Sequence, residues 1–262
     1  MEQIWDTANR ELRLDVDIAC KGKATFRVIA CDLKPNSTYA DRTIEVDNKR
    51  SIYLSFPVTP KQLKIKVVCL KSDSTDKNFI VNINEAPLLK YDIQVDSQTR
   101  QFLDLAVYFS QVCGFEDANF NGRVFKTKDG TFKLKYFPVI TDFRTNQVLN
   151  TPARIGHRTG AIDVSKKAFN SYTVAMRMII LLHEYSHVFK NPKMGLEISN
   201  EIGADINALY IYLGLGFSKV DAIYVFANVF LKAQSKGNMQ RMRKIMNYID
   251  RFEKQEFATK LK

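Results

Sequence analysis

The chain has only three histidines among its 262 residues. Two of them stand four apart in the run His183-Glu184-Tyr185-Ser186-His187. On an α-helix residues i and i+4 share a face, about one turn from each other. The two imidazoles can therefore converge on one tetrahedral zinc, with Glu184 beside them as a base for the water that zinc activates. Met178-Ile179-Ile180-Leu181-Leu182 precede the motif without a break, so the helix is predicted to be buried on nearly all sides. Polar groups on such a helix need partners, which a metal would supply. Two surface histidines on an ordinary helix are the alternative, and the apolar run argues against it.

A second pair of chemical residues follows. Glu201 and Asp205 are again i and i+4, in a segment where Ile198, Ile202, Ile206, Leu209, Tyr210 and Leu213 have helical spacing. Glu201 could complete a two-histidine, one-glutamate zinc site with the fourth position open. Asp205 could accept a hydrogen bond from the far ring nitrogen of a ligating histidine and so fix its tautomer. With His-Glu-x-x-His followed by Asn-Glu-x-x-Ala-Asp, the sequence resembles the gluzincin class of zinc metallopeptidases. The resemblance implies one Zn2+ held by His183, His187 and Glu201, with Glu184 as general base and Asp205 behind a histidine. It implies a hydrolase acting on a protein or peptide substrate.

Two features depart from the best-known gluzincins. The gap from His187 to Glu201 is short and demands a tight connection through Asn191-Pro192-Lys193-Met194-Gly195. No histidine follows His187, so the oxyanion-stabilising histidine of some members is missing. Tyr210, Tyr212 or Tyr224 could take that role, and spacing does not choose among them. His157, in the loop before a strand, is a further candidate for an oxyanion or substrate contact, although a lone loop histidine is more often simply solvated. Metzincins fit less well, because no His-x-x-Gly-x-x-His pattern follows.

The stretch from His183 to Gly216 also resembles peptidase-like proteins of crAss-like phages of gut Bacteroidales. That resemblance implies a virion component of the neck or tail. Its N-terminal domain would contact neighbouring virion proteins, and the copies would assemble as a homo-oligomeric ring. The alternative it raises is a structural assembly protein, a ring or adaptor, whose zincin domain is a scaffold with little or no proteolytic activity.

The elements that must position these residues divide the chain in two. We expect an α+β protein of two domains: an immunoglobulin-like antiparallel β-sandwich over 1–96, for docking, and a zincin-like domain over 97–262. In the first, short strands are predicted at 12–18, 24–31, 42–47, 51–56, 62–70 and 79–84. Turn formers separate them, among them Lys21-Gly22 and Asp47-Asn48. In the second, 98–113 reads as an amphipathic helix, and Asp129-Gly130 marks a hairpin between Val124-Phe125-Lys126 and Phe132-Lys133-Leu134-Lys135-Tyr136. A strand is predicted at 154–165, then the motif helix at 171–190 and further helices at 197–213, 219–234 and 238–254. By the gluzincin resemblance, 159–165 is the edge strand that would bind substrate backbone.

Composition sets outer bounds. Residues 1–96 hold 15 Lys+Arg against 14 Asp+Glu, whereas 97–262 hold 24 against 14. The basic C-terminus is a candidate contact for nucleic acid or an acidic protein, with a solvated basic face as the ordinary reading. No apolar run approaches the ~20 residues needed to span a membrane. The N-terminus lacks a basic start and an apolar core, so no secretory signal is expected and synthesis is placed in the cytoplasm. Cys20, Cys31, Cys69 and Cys113 have no Cys-x-x-Cys spacing and read as free thiols, with a Cys20–Cys31 bridge as the alternative.

Overall fold

The structure is a computed structural model, and it describes residues 1–33, 37–74, 78–142, 144–156, 158–189, 201–233 and 235–261. His157 and the connection 191–195 lie outside the described residues. The chain is mixed α and β and separates into two compact units, Met1–Leu89 and Lys90–Lys262.

The first unit holds five antiparallel strands: β1 (Glu2–Asp6), β2 (Leu12–Asp32), β3 (Thr38–Phe56), β4 (Gln62–Ser72) and β5 (Phe79–Ala86). They form one hydrogen-bonded sheet in the order β1-β4-β2-β3, with β5 also on β2. The strands are fewer and longer than the six short ones expected. The cause lies at the residues that read as turns. Lys21-Gly22 and Asp47-Asn48 sit inside a long β2–β3 hairpin, where the register slips between Ala19 and Lys23. Gly22 (φ 74°) and Asn48 (φ 59°) both adopt left-handed backbone, which these residue types tolerate. Gly22 N donates to Asn48 Oδ1 at 3.1 Å. The turn formers therefore bend two paired strands instead of ending them. Past the bend β2 changes neighbour, from β5 along Arg13–Cys20 to β4 along Ala24–Asp32. Leu12, Leu14, Val16 and Ile18, then Ala24, Phe26, Val28 and Ala30, alternate to one buried face. The four cysteines are free thiols.

The second unit starts upstream of the expected boundary. Residues of the segment before Asp96 are tied into it: Tyr91 N donates to Gly214 O and Asp92 N to Thr259 O. Asp96 caps α1 (Ser97–Val112) by accepting from Thr99 N. A four-stranded sheet follows, ordered β6 (Arg123–Lys126), β7 (Lys133–Phe137), β9 (Ile162–Ser165), β8 (Ala153–Ile155). β7 and β9 run parallel, and the outer pairs are antiparallel.

This order corrects the expected edge strand. The stretch 154–165 is a small hairpin closed by Gly156 N bonding Ala161 O. Its second arm, β9, is paired on both sides, so the free edge is β8. After the short α2 (Lys166–Phe169) comes α3 (Val174–Ser186), capped by Thr173, whose side chain accepts from Met176 N. Every residue of α3 is buried. Burying Ile179, Ile180, Leu181 and Leu182 gains roughly 1.5–3 kcal/mol each, which roots the motif helix in the core. α4 (Glu201–Gly214) packs against it, followed by α5 (Lys219–Val225), a π-helical turn (Phe226–Phe230) and α6 (Lys236–Glu253). The predicted 219–234 helix is thus interrupted at the π-helical turn.

Candidate metal centre

The two helices deliver their polar residues to one place. His183 and His187 come from the end of α3, with His187 as its C-cap, and Glu201 opens α4. His183 Nε2 and His187 Nε2 are 3.1 Å apart, His183 Nε2 and Glu201 Oε2 3.5 Å, and His187 Nε2 and Glu201 Oε1 3.7 Å. Bonds of about 2.0–2.2 Å to a tetrahedral zinc set donor atoms about 3.3–3.6 Å apart. The three separations straddle that range, and His183, His187 and Glu201 are a group that could hold one metal ion.

The surroundings fix how the donors present themselves. Asp205 is fully buried, and its Oδ1 lies 2.9 Å from His183 Nδ1. A proton kept on Nδ1 leaves Nε2 as the ring nitrogen that would turn a lone pair to an ion once it gives up its own proton. Burial disfavours the His183 imidazolium, but the hydrogen bonds to Asp205 and Glu201 more than offset it and raise the group to about 9. The same bond from His183, against partial burial, lowers Glu201 to about 2. Glu184 is pushed up to about 7 by burial, opposed by the His183 charge and by the hydrogen bond it accepts from Ile155 N at 2.8 Å. A carboxylate near neutrality is well matched to taking and returning a proton.

The other motif residues hold the scaffold. Tyr185 shares a 2.8 Å hydrogen bond with Thr99 Oγ1 and stacks between Phe102 and Phe189. Ser186 Oγ donates to Leu182 O and accepts from Asn207 Nδ2 at 2.8 Å, linking α3 to α4.

Three contributors were not foreseen. Arg241, from α6, donates to Asp205 through Nε at 2.8 Å and Nη2 at 2.9 Å, and its Nη2 is 3.1 Å from Glu201 Oε2. A signal existed: Arg241 precedes Ile245 and Ile249 by four and eight residues, so it stands on the apolar stripe of its helix. Phe230, at the end of the π-helical turn, lays its ring against the His183 imidazole with centroids 4.1 Å apart. The Ile155 amide on the β8 edge is the third.

The oxyanion candidates fare differently. Tyr210 is nine residues past Glu201, two and a half turns and so on the opposite face of α4. Its hydroxyl accepts from Gln94 N at 3.1 Å. The structure does not bring it to the metal donors. Tyr212 is buried and stacked on Phe217, and Tyr224 is half exposed. His157 is outside the described residues.

No protein-family model, no curated protein and no solved structure matches the chain. The reading of this centre therefore rests on its own geometry and on the motif. Among the described residues no helix is long and apolar enough to cross a membrane.

Proposed function

We propose that Lys90–Lys262 is a zinc-dependent hydrolase unit of peptidase type. One observation carries the reading: three donors from two helices are spaced for a single tetrahedral ion, with a near-neutral carboxylate beside them. His183, His187 and Glu201 would hold the zinc, which when bound supplies Lewis acidity toward a carbonyl and toward water. Asp205 keeps the His183 proton on Nδ1. Glu184 accepts a proton through one carboxylate oxygen while Ile155 N–H orients the other.

A peptide is the substrate class that the β8 edge supports. Ser165 N bonds Pro152 O and Gly156 N bonds Ala161 O, so by alternation Ala153 and Ile155 turn their backbone groups away from β9. The Ile155 amide already meets Glu184. An extended chain added along β8 would lie beside that base.

A second reading is favoured by Arg241. Its guanidinium places a fixed positive charge on Glu201 and Asp205, part of what a zinc ion would otherwise supply, so the cluster is partly compensated by protein alone. On that reading the unit is a scaffold for assembly. The neck or tail role in a virion follows from the sequence resemblance and goes with either reading.

Metal content by mass spectrometry, wild type beside Glu201→Ala, separates the two. About one zinc per chain, weakened by the substitution, supports the hydrolase, and peptide cleavage lost in Glu184→Gln completes it. A wild-type protein that takes up no zinc from supplemented medium leaves the scaffold.

A further inference from the structure

The sheet of the second unit has two edges, and the one opposite β8 is β6. Thr127 N bonds Phe132 O at 3.2 Å, and alternation along the hairpin turns the N–H and C=O of Val124 and Lys126 outward. Neither residue's outward groups meet a partner among the described residues. Beside this edge runs a groove of about 400 Å³ between α1 and the hairpin, lined by Leu105, Tyr108, Lys126 and Lys128 among others. Val124 is 51% exposed, Tyr108 53% and Phe120, just before the strand, 87%. An open backbone ladder beside exposed apolar side chains is a template for another strand.

Charge selects the occupant. Lys126, Lys128, Lys133 and Lys135 sit on this one hairpin, and none has an ion-pair partner among the described residues. Arg123 is paired with Glu116. Asp104 and Asp129 also line the groove, Asp129 bonded by Thr127 Oγ1, Thr131 Oγ1 and Thr131 N, and the four lysines of the hairpin outnumber these two carboxylates. A second copy of this chain is a poor fit, because antiparallel β6–β6 pairing would set Lys126, Lys133 and Lys135 of the two hairpins side by side on one sheet face, like charge near like charge. A nucleic acid is also a poor fit, since the outward carbonyls of Val124 and Lys126 would face phosphate oxygens. An extended polypeptide offers alternating donors and acceptors, and acidic side chains would answer the lysines.

We propose that the β6 edge is a docking site for an acidic extended polypeptide segment, added as a fifth strand with apolar side chains against Tyr108 and Val124. It is separate from the β8 edge and does not depend on the metal centre. In this role the lysines do more than guard the edge against self-association; they choose the partner.

The test uses the full chain and the probe acetyl-Glu-Val-Glu-Tyr-Glu-Val-Glu-amide, followed by titration and amide hydrogen exchange in NMR spectra. Expected are saturable binding, slower exchange at the Val124 and Lys126 amides, and affinity reduced about tenfold or more by the exposed double substitution Lys126→Glu, Lys128→Glu. The same peptide N-methylated at alternate residues should not bind, because it cannot form the ladder. Equal binding of the N-methylated peptide would overturn the proposal by showing a merely ionic contact. So would protection elsewhere in the chain, or no binding at millimolar peptide. Tighter binding of a fifteen-residue oligothymidylate, competing with the peptide, would reassign the surface to nucleic acid.

Discussion

Arg241 grips both carboxylate oxygens of Asp205, at 2.8 and 2.9 Å, and Asp205 is fully buried. The same carboxylate touches His183 Nδ1 at 2.9 Å, so a residue of the last helix sets the charge balance behind a metal donor. Removing the guanidinium leaves Asp205 buried with one partner fewer. Arg241→Met should cost about 3–5 kcal/mol of stability, the penalty for breaking a buried ion pair, read from urea denaturation. Asp205→Asn should weaken zinc binding by about 10–100-fold in a chelator competition. Unchanged zinc affinity in Asp205→Asn would show that the His183 contact does not tune the site.

Arg177 is buried on α3 and has no ion-pair partner among the described residues. Its guanidinium donates to Ser110 O at 2.8 Å, Phe169 O at 3.2 Å and Asn170 O at 3.3 Å. These carbonyls lie at the C-terminal ends of α1 and α2, where backbone oxygens lack partners and a cation is favoured. Arg177→Met should lower stability by about 2–4 kcal/mol by leaving buried carbonyls unpaired. Arg177→Lys should recover only part of it, since one ammonium cannot span three acceptors in the plane of a guanidinium. Equal stability of Met and wild type in thermal melts would remove this role.

Cys113 is fully buried, and burial pushes its thiol up to about 11, with Arg177 pulling the other way. The folded protein therefore holds this proton at pH values where the unfolded chain, near the ordinary thiol value, has released it. Stability from this group is complete below about pH 8.5 and is lost as pH rises toward 11, by about 3 kcal/mol in all. The difference in stability between wild type and Cys113→Ala should shrink over that range. In the native protein at pH 8, a thiol reagent should reach Cys20, Cys31 and Cys69, which are partly exposed, before Cys113.

Gly214 ends α4, and a Cβ there would meet Ile93 Cγ2 at 2.2 Å. Helix propensity alone predicts that alanine stabilises such a position by up to about 1 kcal/mol. The contact with the 90–96 segment predicts the opposite sign. Gly214→Ala should melt at lower temperature, and Gly214→Ala with Ile93→Ala should regain part of the loss.

Much of the candidate site was legible because its periodicity is local. His183 and His187, and likewise Glu201 and Asp205, are four apart, so helix geometry alone predicts shared faces. The apolar run before His183 announced a buried helix. The rest depends on long-range packing. Arg241 is 36 residues from Asp205, and only its place on an apolar stripe hinted at a buried partner. In the first unit, Lys21-Gly22 and Asp47-Asn48 are turn formers by type, and nothing local says that they face each other across a ladder. The same holds for 154–165, where Gly156 and Gly160 fold one predicted strand into two and pass the free edge to β8.

The π-helical turn at Phe226–Phe230 carries a consequence for how the metal centre could be built or lost. A π-turn holds one more residue than an α-turn, and the surplus residue advances everything after it by about 100°. Deleting a single residue between Phe226 and Phe230 would relax the segment toward an α-helix and swing the Phe230 ring off His183, without altering any residue that touches the metal donors. The aim of that ring is thus encoded in a count of residues as well as in their kinds.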